Sequence, residues 1–141
     1  MSSQNTESRV INAPVQKVWA ALRAQDFKFW SLVKTVEQTA SATEVGSTRQ
    51  VTFTDGTVQH YRLVEFSELQ NSLTYEIVES VPAVPVLSAQ HTIRVFRVSA
   101  DDSTFVQWST DFSSEGSEAA VADSKYKKLE ALADLAKALE N

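Results

Sequence analysis

Cysteine is absent from this 141-residue chain. That excludes disulfides, thiol nucleophiles and thiolate metal sites, and leaves the redox compartment open. Glycine is scarce. The three glycines are isolated, so no Gly-rich loop can cradle a phosphate and no Gly-x-Ser-x-Gly turn presents a nucleophile. His60 and His91 are the only histidines and have no matching acid cluster, so neither a metal site nor a cofactor is expected. Basic residues are outnumbered, thirteen Lys and Arg to eighteen Asp and Glu, and the net charge of −5 disfavours nucleic acid or an anionic membrane as partner. The densest basic group, Lys125, Lys127 and Lys128, shares a helical stretch with Glu118, Asp123, Glu130 and Asp134 and reads as a solvated face. No run approaches the roughly 18 apolar residues of a spanning helix, which argues against stable membrane insertion. The polar start, residues 1–6, lacks the charged and apolar segments of a signal peptide and is expected to be disordered. A cytoplasmic protein with one domain over residues 7–141 is the expectation.

What is present is a change of period. Glu7–Ile11 reads as a strand ended by Asn12-Ala13-Pro14, and proline suits the first turn of a helix. Val15, Val18, Trp19 and Leu22 follow at helical spacing, and a second short helix is predicted over Phe27–Leu32. From Val33 the period becomes two. Strands are predicted over Val33–Ala40, Ser47–Thr54, Thr57–Ser67, Leu73–Glu79, Ala89–Ser99 and Thr104–Phe112. Asp55-Gly56 is the strongest hairpin signal. Pro82 and Pro85 make Ser80–Ser88 a loop. After Gly116 a helix runs nearly to Asn141, with Val121, Tyr126, Leu129, Leu132, Leu135, Ala136 and Leu139 on its apolar side. At about 25 residues it would span roughly 37 Å, long enough to cover the sheet. The fold class is α+β: a curved antiparallel sheet of six to seven strands, two short helices after the first strand, and a long C-terminal helix across it.

Val10-Ile11-Asn12-Ala13-Pro14-Val15-Gln16-Lys17-Val18-Trp19, an apolar strand, Ala-Pro, then Val-Trp on a helix, resembles the opening of the START and birch-pollen-allergen (SRPBCC) superfamily. Val45-Gly46-Ser47-Thr48-Arg49 with Asp55-Gly56 is similar to its next hairpin. Leu73-Thr74-Tyr75-Glu76-Ile77, Thr92-Ile93-Arg94-Val95 and Val106-Gln107-Trp108-Ser109 are similar to its later strands. The resemblance covers nearly the whole chain and is closest to the polyketide cyclase/dehydrase-like branch. It implies a helix-grip fold with a cavity between sheet and terminal helix. Members bind lipids, sterols, hormones or polyketides, and a minority catalyse; fold alone does not choose.

Alternation points Arg49 inward beside Val51 and Phe53. It is either a ligand contact or a structural arginine, reaching solvent at a rim or paired with an acid. Tyr61 falls across the hairpin in the register of Arg49. Relatives often carry a glutamate before Arg-Leu, where this chain has Tyr61-Arg62-Leu63, and that departure weakens any transfer of carboxylate chemistry. Tyr75 with Ile77, Ile93, and Trp108 with Val106, also face inward, as pocket wall or as plain core. Trp30 is a candidate for the pocket mouth, and Tyr126 and Leu129 for its helical side. A hairpin centred on Val84-Pro85 would set Glu79 opposite His91, either as a proton-transfer pair or as an exposed cross-strand pair. His60 is expected to be solvated.

The leading expectation is a binding protein for a hydrophobic or aromatic small molecule: lipid, sterol or polyketide-like. Arg49 and Tyr61 would orient a polar end, and the loop Val81–Leu87 would gate the cavity. One alternative is a cyclase/dehydrase-type enzyme, with Arg49 stabilising an enolate and Tyr61 or His91 moving a proton. Another is a protein-interaction domain of the Hsp90-activator type, which predicts a filled interior and an exposed apolar patch.

Overall fold

The computed structural model describes residues 3–39, 41–83, 89–112 and 118–140. The elements are β1 (Ser3–Ile11), α1 (Val15–Arg23), β2 (Val33–Gln38), β3 (Thr48–Phe53), β4 (Val58–Ser67), β5 (Ser72–Val81), β6 (Ala89–Val98), β7 (Ser103–Phe112) and α2 (Glu118–Leu139). The seven strands form one antiparallel sheet in the order β1-β7-β6-β5-β4-β3-β2. With the long terminal helix this is the helix-grip architecture. Among the described residues no helix is long and apolar enough to cross a membrane.

Alternation becomes burial. On β3 every second residue, Arg49, Val51 and Phe53, is buried, and on β7 the series Thr104, Val106, Trp108, Thr110 and Phe112 is. These side chains share the concave face with Tyr61, Leu63, Leu73, Tyr75, Ile93 and Val95. The β3–β4 hairpin turns at Asp55-Gly56. Asp55 Oδ1 accepts the Thr57 N–H at 2.9 Å, and Gly56 sits at φ +92°, a conformation that only glycine adopts without strain.

Two expectations about the N-terminal third are corrected. Strand β1 begins at Ser3 and pairs with β7 from Ser3↔Phe112 to Ile11↔Thr104, so residues 3–6 are ordered in the sheet. Their polar side chains hid this, because an outer strand needs ladder partners more than apolar alternation. The second short helix over Phe27–Leu32 does not form. Gln25 and Phe27 adopt left-handed φ values of 54° and 49°, which interrupt a right-handed helix. Isolated turn bonds follow instead, from Trp30 N to Phe27 O and from Val33 N to Trp30 O. This geometry sends both Phe27 and Trp30 into the core, where Phe27 meets Tyr61, Tyr75 and Trp108 edge-on or stacked.

Helix α2 buries Ala131, Leu132, Leu135 and Ala136 against the sheet. Its C-terminal end is pinned by polar groups from the first third of the chain. Lys17 Nζ donates to Leu139 O, Asn12 N to Glu140 Oε2, and Ser31 donates through N and Oγ to Asp134 Oδ2. The face expected from the sequence is rotated: Tyr126 and Leu129 are exposed at 55% and 44%, while Lys128 is buried.

Candidate functional site

Between the sheet and the first half of α2 lies a cavity of about 70 Å³. Its sheet wall comes from β4 (Gln59, Tyr61), β5 (Tyr75, Ile77), β6 (Ala89, His91) and β7 (Trp108, Phe112), with Trp30 from the turn segment. Its helix wall is Ala120, Asp123, Ser124, Lys127 and Lys128. Gln59, Ala120, Asp123 and Lys127 also border a wider outer cleft of about 310 Å³, reaching Ser80, Pro82 and Ala83. These four residues border both spaces. Rings dominate the inner wall: Tyr61 stacks on Tyr75 at 4.8 Å, Tyr75 on His91 at 4.9 Å, and Trp30 meets Trp108 edge-on at 5.7 Å.

A polar string crosses one end of this wall. Lys128 Nζ donates to Asn5 Oδ1 at 3.0 Å and to Ser124 Oγ. Ser124 Oγ lies 3.5 Å from Thr110 Oγ1, which is 2.7 Å from His91 Nδ1. Burial, with Lys128 and Lys127 adding repulsion, pushes the His91 pKa down to about 3, so the imidazole is neutral near pH 7. Burial also lowers Lys128, to about 8, against the pull of Glu7. Tyr61 donates to Gln59 Oε1 at 2.9 Å, and burial holds its phenol protonated far above the ordinary range. Tyr75 is raised likewise by burial and by Tyr61. The Trp108 indole faces its hydroxyl closely enough to oppose that rise without meeting hydrogen-bond geometry.

Of the side chains singled out from sequence, Trp30, Tyr61, Tyr75, Ile77, His91 and Trp108 line the cavity. Trp30 sits in the inner part, packed on Phe53, instead of at the mouth. Val51, Phe53, Leu63, Ile93 and Val106 are buried core on the same face but do not line it. Tyr126 and Leu129 lie outside it, as the rotation of α2 requires. Arg49 pairs with Tyr61 in the ladder, yet the two side chains diverge. The guanidinium is 1% exposed and turns away from the cavity to Gln25 Oε1 and, at 3.1 Å, to Ser47 Oγ. Among the described residues no carboxylate pairs with it, and burial lowers its pKa. The expected Glu79–His91 pair is absent. Register sets Glu79 opposite His60 and His91 opposite Tyr75, because the β5–β6 ladder runs from Ser72↔Arg94 to Glu76↔Gln90, four residues out of the expected frame. Of the Val81–Leu87 loop, Pro82 and Ala83 border the outer cleft, and residues 84–88 lie outside the described residues.

The sequence reading missed Gln59, Ala89 and Phe112, which share strand phase with Tyr61, His91 and Trp108 and were there to be found. It also missed Ala120, Asp123, Ser124, Lys127 and Lys128. The lysines taken for a solvated face include Lys128, 3% exposed, and Lys127, whose Nζ lies 4.9 Å over the Phe53 ring.

An antiparallel sheet gripping a terminal helix around an aromatic cavity defines a helix-grip protein of the SRPBCC type. The chain belongs to the family described as "Polyketide cyclase / dehydrase and lipid transport", whose profile matches residues 4–140. Solved structures agree. A protein from Nitrosospira multiformis is 27% identical with a TM-score of 0.86, covering 99% of this chain and 97% of that one. An uncharacterized protein from Bacillus thuringiensis is 21% identical with a TM-score of 0.85, covering 99% and 100%. The protein XoxI from Bacillus cereus is 23% identical with a TM-score of 0.85, covering 97% and 95%. The two Bacillus likenesses speak to fold alone. No curated protein matches the chain.

Proposed function

We propose that the protein binds a hydrophobic or aromatic small molecule, lipid-, sterol- or polyketide-like, between the sheet and α2. The observation that carries this reading is the ring-walled inner cavity with a wider cleft bordered by four of the same residues. Apolar walls with a few placed polar groups are the usual make-up of small-molecule sites. The inner cavity would take a small end group, and the cleft the remainder. The family's description, which names polyketides and lipid transport, supports the same class of ligand. A cyclase-type mechanism would use Arg49 to stabilise an enolate, but its guanidinium turns away from the cavity to Gln25 and Ser47.

Native mass spectrometry of gently purified protein, with thermal shifts against lipid, sterol and polyphenol panels, tests the reading. A co-purifying mass or a rise in Tm with one ligand class is expected. Absence of both would sink it.

A further inference from the structure

Phe27 meets four rings of the cavity wall at once. Its centroid lies 5.8 Å from Trp30, 6.1 Å from Tyr61, 6.2 Å from Tyr75 and 6.4 Å from Trp108, edge-on to the first three and stacked on the last. All four line the inner cavity; Phe27, 3% exposed, does not. The cluster therefore extends the ring wall beyond the open space, and it already holds one aromatic ring in the geometries that ring pairs prefer.

The backbone that delivers this ring is strained. Gln25 and Phe27 adopt φ values of 54° and 49°, and a bulky side chain seldom takes the left-handed region. Such conformations persist only where their surroundings impose them, and they gather at ligand clamps and switch segments. Both ends of the segment are held. Gln25 accepts from Arg49 and donates to Ala42 O, and Ser31 donates twice to Asp134. Between the ends the polar contacts are local: Lys28 N donates to Asp26 Oδ1, Lys28 Nζ pairs with Asp26, and Trp30 N donates to Phe27 O. Among the described residues no hydrogen bond or ion pair ties residues 26–29 to the sheet or to α2, so packing alone holds them there. Segments of that kind open at low cost.

The open space is small. An apolar cavity of roughly 150 Å³ holds one benzene, about twice the 70 Å³ found here. A ring needs more room than is open. Withdrawing Phe27 would supply it, in a void bordered by the same four rings.

We propose that Trp30, Tyr61, Tyr75 and Trp108 form a subsite for an aromatic ring of the ligand, which Phe27 fills in this structure and yields when the ligand enters. This rests on the binding reading above and narrows its ligand to one that carries an aromatic ring.

2-Naphthol and decahydro-2-naphthol, its saturated counterpart, titrated into the full chain test it. With 4-fluorophenylalanine in place of phenylalanine, the Phe27 fluorine signal is assigned through Phe27→Leu. It should move toward that of exposed Phe96 as 2-naphthol binds. Phe27→Gly removes the competing ring and suits the left-handed φ. It should bind 2-naphthol about tenfold more tightly than the parent, the factor for a competent state populated at about a tenth. Leu132→Ala, a core truncation outside the cavity, should show no such gain. The aromatic probe should bind at least about threefold more tightly than the saturated one, because ring pairs add to the area they bury. A Phe27 signal unmoved by bound 2-naphthol overturns the subsite, as does binding by Phe27→Gly alone. Equal gains in Phe27→Gly and Leu132→Ala, or equal binding of the two probes, overturn it too. So does failure of both probes at millimolar concentration while the lipid, sterol and polyphenol panels raise Tm. In all these cases the binding reading stands. Should Phe27→Gly not fold, the fluorine signal decides on the parent alone. Failure in both series removes the binding reading itself.

Discussion

Arg49 holds its charge inside the sheet on neutral partners, an arrangement that costs desolvation without the return of an ion pair. Its acceptors are Gln25 and Ser47, and Gln25 is itself fixed by its amide donating to Ala42 O at 2.6 Å. Removing the amide leaves a buried cation short of an acceptor, whereas replacing the cation by an apolar side chain removes the demand. Gln25→Ala is expected to cost about 1.5–3 kcal/mol, the range for a hydrogen bond to a charged group. In the Arg49→Met background the same change should cost less than half as much. Urea denaturation of the two single variants and the double variant measures the coupling, and additive losses would contradict it. That Arg49 points inward was legible from its phase with Val51 and Phe53. Its partner was not, because Gln25 lies in a stretch with no period, reached through a left-handed turn.

Helix α2 shows how an element can be found while its rotation is missed. Its apolar residues cover a wide arc from Val121, Tyr126 and Leu129 to Leu132, Leu135, Ala136 and Leu139, of which Leu132, Leu135 and Ala136 are buried. The buried seam is Lys128, Ala131, Leu132, Leu135 and Ala136, with half-buried Ser124 one turn before the lysine. Lys128 can sit there because Asn5 on β1 and Ser124 one turn earlier accept its protons. No pattern within the helix announces a partner more than a hundred residues away. The rotation predicts unequal leucines. Leu135→Ala should cost about 2–5 kcal/mol as a buried truncation, and Leu129→Ala should stay within about 0.5 kcal/mol as a surface change. Chemical denaturation compares them, and similar losses would mean that the helix sits as the apolar arc alone suggests.

At the scale of the molecule, His91 ties stability to pH. In the folded chain it is pushed down to about 3 from an ordinary 6.5, with Lys127 and Lys128 facing it from α2 and Tyr61 and Tyr75 from the sheet. Between those values the unfolded chain binds a proton that the native ring does not. Its contribution is therefore complete above pH 6.5 and lost as pH falls toward 3, by at most about 1.4 kcal/mol per pH unit. Lys128, lowered to about 8, works in the same sense in a higher window, so its contribution grows as pH rises from 8 to 10.5. His91→Gln should flatten the loss of Tm between pH 6.5 and 4 relative to the parent chain. An unchanged slope would show that other groups carry it.

Much of the architecture was determined by the sequence itself. Period two fixes which side chains face inward, Asp55-Gly56 fixes a hairpin, and a long terminal helix has only the sheet to cover. Cavity residues such as Tyr61, Tyr75, His91 and Trp108 were legible for that reason: they belong to strands whose alternation is local. Tertiary structure alone decided which of the inward residues meet empty space. Phe53 and Ile93 are packed core, Arg49 turns away to Gln25, and Trp30 reaches inward through a turn where a helix was expected. It also decided that an asparagine from the first strand, a lysine and a serine from the helix and a threonine from the last strand would form one string ending at His91. Those contacts depend on strand register and helix rotation, which are set by the packing of distant segments and leave no mark in local spacing.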